Sequence, residues 1–296
     1  MKVLILGADG MIGHPIFKQA QLNFTTYATL RNTQLSYSRW PEFAKNTYFN
    51  IEATDFPKIQ SVVADCKPAV IINCVGVVKQ KLNNAFSDTL NAIEINAKFP
   101  QMLAQFCAKR EIKLIHLSSD CVFSGKKGNY CETDNPDAND VYGKSKSLGE
   151  LQYKNCLTLR TSTIGLELHP ERTHGLIEWF LAQSGNIAGF TRAFYSGLTT
   201  ASFAKLVCNI LKNHADLNGL YHVSGPAISK YDLLSKLALK LNKTDLIINK
   251  NTEFFCDRTL NYQKLQKAID YQAPSWEMML DELVEQIKLR ERYYVS

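Results

Sequence analysis

The 296-residue sequence lacks several features, and each absence excludes a class of protein. No apolar run approaches the ~18 residues that a membrane-spanning helix needs, so no membrane partner is expected. Fifteen glycines and nine prolines are too few for a collagen-like or low-complexity chain. Basic residues are spread out rather than blocked. The 34 Lys and Arg against 28 Asp and Glu leave a formal charge of only +6. Nucleic acid is therefore not an expected partner. Eight cysteines, at 66, 74, 107, 121, 131, 156, 208 and 256, include no C-x-x-C pair, so neither a zinc site nor a disulfide scaffold is indicated. Several fall in apolar segments, as reduced thiols of a cytoplasmic protein do. The six histidines show no ligand spacing, and no metal is expected. Met1-Lys2 runs directly into Val3–Leu6, without the n-region or cleavage site of a secretory signal.

What is present is the balance of a folded chain: 45% hydrophobic and 21% charged residues, at a length that supports one or two domains. The first half alternates apolar runs with helical patterns. Val3–Leu6, Phe24–Leu30, Ala69–Cys74 and Lys113–Leu117 read as strands. Helical spacing covers about Met11–Leu22, Pro57–Cys66 and Asn84–Arg110. Strands without polar alternation, separated by helices, predict an α/β doubly wound parallel sheet of the Rossmann type, covered on both faces. After Leu157–Arg160 the alternation weakens. Helical patterns follow at Leu176–Gln183, Ala201–Leu211, Tyr231–Leu241 and Ser275–Arg292, with a short strand at Leu220–Val223. The expected division is a dinucleotide-binding domain of residues 1–164 plus about 199–226. A smaller C-terminal α/β substrate lobe would take about 165–198 plus 227–296.

Gly7-Ala8-Asp9-Gly10-Met11-Ile12-Gly13 lies between the first strand and the first helix. Gly7 permits the sharp turn, Gly10 lets backbone approach a pyrophosphate, and Gly13 lets the helix pack closely on the sheet. The helix N-terminus then offers unpaired N–H groups to phosphate. The second strand ends Ala28-Thr29-Leu30-Arg31, with no acid for a ribose hydroxyl. Arg31 suits a 2′-phosphate, so NADPH is expected rather than NADH. Glu52-Ala53 stands where the adenine amino group would lie, and Cys74-Val75-Gly76 near the middle of the cofactor.

Tyr142 and Lys146 stand four apart on a helical stretch and so share one face. A neighbouring ammonium is expected to lower the phenol's pKa and make it a usable acid. Lys146 could also hold the nicotinamide ribose. Ser118-Ser119-Asp120 follows a strand, where ligands of an open parallel sheet bind. A Ser119 hydroxyl there can hold a carbonyl oxygen while Tyr142 delivers a proton.

These motifs resemble those of the extended short-chain dehydrogenase/reductases, and within them the dTDP-4-dehydrorhamnose reductase family. The resemblance extends over INCVGVV (72–78), EINAKFP (94–100), LSSDCVFSGKKGNYCETD (117–134), VYGKSKSLGE (141–150), LRTSTIG (159–165), DRTLNYQKLQKAI (257–269) and Pro274-Ser275-Trp276. It implies Ser119 as carbonyl orienter, Tyr142 as general acid and Lys146 as its partner. NADPH would reduce C4 of a nucleotide-linked 4-keto-6-deoxyhexose, and Asn96 would have a supporting role. The similar dehydratases carry Asp-Glu after the strand-end hydroxyl. Here the pair is Asp120-Cys121, so a dehydratase would lack a proton carrier. The family commonly has Tyr where this chain has Cys121 and Trp where it has Thr163, both near the sugar. Further substrate contacts are expected from Lys79, Phe123, Arg192 and Arg258. Alternatives are an epimerase or epimerase-reductase, and a redox-inert NADP-binding regulatory subunit. A homodimer is left open.

Overall fold

The computed structural model describes residues 1–78, 82, 86–169 and 175–295, with 293–295 described by backbone alone. Its strands are β1 (Lys2–Leu6), β2 (Thr25–Thr29), β3 (Thr47–Tyr48), β4 (Val70–Asn73), β5 (Lys113–Ser119), β6 (Cys156–Thr161), β7 (Thr163–Ile164), β8 (Gly185–Tyr195), β9 (Leu198–Thr199), β10 (Gly219–Val223), β11 (Ile228–Ser229) and β12 (Leu246–Asp257). Its helices are α1 (Gly13–Gln21), α2 (Phe56–Cys66), α3 (Phe86–Ala92), α4 (Phe99–Ala108), α5 (Val141–Leu148), α6 (Leu176–Leu181), α7 (Thr200–Asn213), α8 (Lys230–Lys240), α9 (Gln263–Ile269) and α10 (Trp276–Val295).

Seven strands form one parallel sheet in the order β10-β6-β5-β4-β1-β2-β3. The chain winds outward from β1 to β3, then returns to start the other half at β4. The switch therefore falls between β1 and β4, where a crevice opens at the carboxyl ends of the strands. This is the expected doubly wound sheet. Its strands are apolar on both faces because both faces are covered. Val3, Ile5 and Ile72 face a core shared with α1 and α7, which includes Ile16, Phe17 and Phe203. Leu4, Leu6 and Ile71 face the other core, with Ile59, Val63, Phe99 and Leu103 from α2 and α4. Each large side chain so buried contributes about 1.5–3 kcal/mol.

The helical pattern over 84–110 is interrupted. A wide turn at Ile93–Lys98 separates α3 from α4. Pro100 has no N–H to give the Asn96 carbonyl four residues back, so the regular ladder cannot run through this point. Gly149 exploits the exposed backbone. A Cβ there would collide with the Asn96 carbonyl oxygen, so α5 and its exit pack tightly against this turn.

The smaller sheet has the order β11-β8-β12, with β12 parallel to β8 and a register shift between Asn251 and Phe255. The pattern reading did not single out β8 or β12. Most of β12 is exposed or half-exposed, so its residues carry little apolar signal. Among the described residues, no helix is long and apolar enough to cross a membrane.

Candidate active site

A cleft of about 800 Å³ opens at the switch point and runs toward the small sheet. Its floor comes from loops after four parallel strands: Met11 and Ile12 after β1, Cys74–Val78 after β4, Asp120 and Cys121 after β5, and Ser162 after β6. Phe194 and Tyr195 of β8, Phe254 and Cys256 of β12, Lys230 of α8, and Arg258 complete the far wall.

The glycine turn has the expected form. Gly7 takes φ +73°, and its carbonyl accepts from Gly10 N at 3.2 Å. A Cβ at Gly13 would strike the Gly7 carbonyl oxygen, so α1 rests directly on the turn. No side chain caps α1, whereas α2, α5, α7 and α8 are capped by Asp55, Asp140, Thr199 and Ser229. An uncapped helix start beside an open glycine turn suits a pyrophosphate. Asp9 is buried, and its carboxylate accepts from Tyr37 Oη at 2.7 Å.

Tyr142 and Lys146 both reach the cleft from α5. Asp140 starts the helix by accepting from Gly143 N at 2.8 Å. A Cβ at Gly143 would collide with the Cys121 carbonyl oxygen, so α5 lies close to the turn that follows β5. Ser119 ends β5. Its hydroxyl donates to Asp120 Oδ1 at 3.1 Å and accepts from Cys121 N at 3.1 Å. Lys146 Nζ donates to the Leu117 carbonyl at 2.6 Å. Asn96, fully buried, fixes the loop beyond β4. Its Oδ1 accepts from Val77 N at 2.9 Å, and its Nδ2 donates to Val77 O at 3.0 Å and Ser145 Oγ at 3.1 Å.

The electrostatics differ from the expected acidified phenol. Burial raises the Tyr142 pKa well above the usual phenol value; Cys121 also raises it, and a hydrogen bond with Ser119 pulls it down. Lys146 is not among the main influences on it. The ammonium is turned to the Leu117 carbonyl, and desolvation of the phenolate outweighs the rest. The phenol is accordingly a proton donor that stays protonated. Burial pushes Lys146 down to about 8, opposed by Glu150 and then Cys74. Burial raises Asp120, while Arg258 and Ser119 draw it back. The Cys121 thiol goes up to about 12, first by burial and next by Asp120, so it is no ready proton carrier.

The structure places Ser119, Asp120, Tyr142, Lys146, Cys121, Thr163 and Arg258 around one cleft, together with Met11, Ile12, Cys74, Val75 and Gly76. Two expected substrate contacts are corrected. The Phe123 ring is fully buried, stacked on Tyr130 at 4.1 Å, and only its carbonyl, which accepts from Arg258 Nε at 2.8 Å, faces the site residues. An apolar ring gains more from that core than from a wet cleft. Arg192 is exposed and lies over Phe255 at 5.4 Å, outside the cleft lining. The last three residues of β8, Ala193, Phe194 and Tyr195, line the cleft instead. Arg31 is exposed two residues past β2, Glu52 is exposed, and Ala53 packs on the α2 core. Lys79 lies outside the described residues. Sequence reasoning missed Lys230, Phe254 and Trp179 on the cleft wall. They carry no motif spacing, and only the fold gathers them.

Residues 1–289 match the family model described as the RmlD substrate binding domain. The chain is 25% identical to a dTDP-4-dehydrorhamnose reductase of Aggregatibacter actinomycetemcomitans, over 94% of this chain and 97% of that relative. It is 28% identical to a methionine adenosyltransferase 2 subunit beta of Bos taurus, over 50% of this chain and 41% of that protein. A dTDP-4-dehydrorhamnose reductase of Bacillus anthracis, solved in complex with NADP, superposes with a TM-score of 0.78 at 22% identity, over 96% of this chain and 99% of the other, a likeness of fold. With the glycine turn, the parallel sheet and the Ser119–Tyr142–Lys146 cleft all in one chain, and the family model spanning nearly all of it, the chain belongs to the RmlD substrate binding domain family of extended short-chain dehydrogenase/reductases.

Proposed function

We propose that the chain is an NADPH-dependent reductase of the C4 keto group of a nucleotide-linked 4-keto-6-deoxyhexose, acting in deoxysugar or surface polysaccharide synthesis. The observation that carries this is the meeting of Ser119, Tyr142 and Lys146 in one cleft beside the glycine turn. When bound, NADPH would supply a hydride to the carbonyl carbon. Gly7, Asp9, Gly10, Met11, Ile12 and Gly13 would hold its pyrophosphate side, and Arg31 its 2′-phosphate. Glu52 and Ala53 would border the adenine, and Cys74, Val75 and Gly76 the middle. The Ser119 hydroxyl orients the substrate oxygen, and Tyr142 Oη gives that oxygen its proton. Lys146 holds the ribose and keeps positive charge near the developing alkoxide. Asp120, whose carboxyl pKa burial raises, accepts from the Ser119 hydroxyl and steadies it.

Farther out, Lys230 and Arg258 are cations of the cleft wall, suited to a diphosphate. Phe194 and Phe254 stand beside them as faces for a base. These residues support a nucleotide held by the lobe of about 165–198 and 227–296. Cys121 and Thr163 border the sugar end, so the substrate is assigned by class rather than as one sugar. All eight cysteines are free, which fits a reducing, cytoplasmic setting. The homodimer expectation is tested by light scattering on the purified chain.

Incubating the protein and NADPH with a panel of dTDP-, GDP- and UDP-linked 4-keto-6-deoxy sugars tests the reading. Cofactor absorbance should fall with at least one sugar, and NMR should find a C4 alcohol. Cofactor binding without turnover across the panel overturns the reading. The likeness over half the chain to a methionine adenosyltransferase subunit favours one other reading, a redox-inert regulatory subunit. The intact Ser119, Tyr142 and Lys146 argue against it.

A further inference from the structure

Just past α5, a second charge lies four residues beyond Lys146. Glu150 does not line the cleft. Its Oε1 accepts from Ser118 Oγ at 2.7 Å and from Arg160 Nε at 2.6 Å, and its Oε2 accepts from an Arg160 terminal nitrogen at 2.7 Å. The side chains of Arg160 and Glu150 are only 3% and 6% exposed, so this pair has given up nearly all its water. Burying such a pair is costly and by itself weak grounds for stability. Its placement explains it better. Ser118 sits between Leu117, whose carbonyl accepts from Lys146 Nζ, and Ser119, whose hydroxyl faces the cleft.

We propose that Glu150 is a positioning residue for the reduction: anchored to the end of β5 through Ser118 and to β6 through Arg160, it is the counter-charge that keeps Lys146 an ammonium against the Leu117 carbonyl. The inference rests on the reductase reading above. The groups facing Lys146 support it. Cys74, beyond β4, has its thiol pushed up to about 12 by burial and carries no charge near neutrality. His116, on β5, is held neutral, with burial and then Lys146 both driving its pKa down. Tyr142, one turn earlier on α5, stays protonated. Among the described residues that act on Lys146, Glu150 is the strongest that favours its charged form. Glu150 in turn is faced by Ser118 from β5 and Arg160 from β6, and Arg160 leads to His222 on β10, whose Nε2 lies 3.2 Å from it. His222 is itself held neutral, down to about 3, first by burial and then by Arg160. Arg160 thus holds the carboxylate in place through both of its oxygens.

The test is the pH profile of kcat for the wild type, Glu150→Gln and Glu150→Asp. With Glu150→Gln the alkaline limb should move down by about one pH unit, so that turnover falls about tenfold more at about pH 9 than at about pH 6. Glu150→Asp keeps the charge and should return the limb toward the wild type. A loss that is equal at all pH values, with the limb unmoved, overturns the proposal as a merely structural effect. If Glu150→Gln does not fold, Glu150→Gln combined with Arg160→Gln removes both charges together; because losing the cation partly offsets losing the carboxylate, a smaller downward displacement is required of it, and an unmoved limb overturns the proposal. NADPH binding followed by fluorescence across the same pH range reads Lys146 without turnover. If no sugar is reduced, the reductase reading fails while binding still decides the role of Glu150. An unshifted binding profile overturns that role.

Discussion

A buried phenol next to a serine hydroxyl is a proton donor first, because burial raises the cost of the phenolate. This sets the expectations at the residue scale. Tyr142→Phe should lower kcat about 10²–10⁴-fold while NADPH binding, measured by fluorescence, stays near wild type. A regulatory subunit would lose little of its function from that change. Lys146, pushed down to about 8 by burial, must be charged to serve. Turnover should therefore be steady below that value and decline as pH rises through it, which a pH profile of kcat reads directly. Arg31 is exposed two residues past β2, and its proposed role is to select the 2′-phosphate of NADPH. Arg31→Ala should raise the KM for NADPH about tenfold to a hundredfold and leave that for NADH nearly unchanged, in line with the loss of one charge-assisted contact. Equal changes for both cofactors would remove Arg31 from the site.

At the scale of elements, the close seat of α5 decides where Tyr142 and Lys146 stand. Gly143 brings the helix against the Cys121 carbonyl, and Gly149 brings its exit against the Asn96 carbonyl, the one Pro100 leaves without its helical donor. Gly149→Ala should push the two apart at a cost of about 1–3 kcal/mol, seen as a lower midpoint in urea unfolding. Because Asn96 also holds Val77, the same shift should raise the KM for NADPH. The wide turn at Ile93–Lys98 thus links the helix that carries the acid to the loop that borders the cofactor.

At the scale of the whole molecule, two buried histidines contribute to the response to acid. His222 is depressed to about 3, chiefly by burial, and His116 is driven well below its ordinary value by burial and Lys146. In the unfolded chain both would take up protons near the ordinary histidine pKa of about 6.5. The unfolded state then binds more protons than the folded one as pH falls below that value. Stability is complete above it and is lost on acidification, by up to about 1.4 kcal/mol per pH unit for each histidine. Thermal melts from neutrality toward about pH 4.5 should show a falling Tm, and a flat profile would mean that these rings are solvated.

Sequence alone determined the parallel sheet, the glycine turn and the helix bearing Tyr142 and Lys146, because each is written in local terms: unbroken apolar strands, glycine spacing and a four-residue repeat. Contacts across long separations had to come from the tertiary structure. Burial, which no spacing encodes, turned the expected acidified phenol into a protonated one. The end of β8 put Phe194 and Tyr195 rather than Arg192 at the cleft, and packing drew the Phe123 ring into the core. β12 is too exposed to stand out as a pattern, and only the fold brought Phe254 on it, Lys230 at the start of α8 and Arg258 just past β12 to the cleft that holds Tyr142. The chemistry of the site was legible locally because it sits on one helix and one strand end. Its far wall was not, because desolvation and shape exist only once the chain has folded.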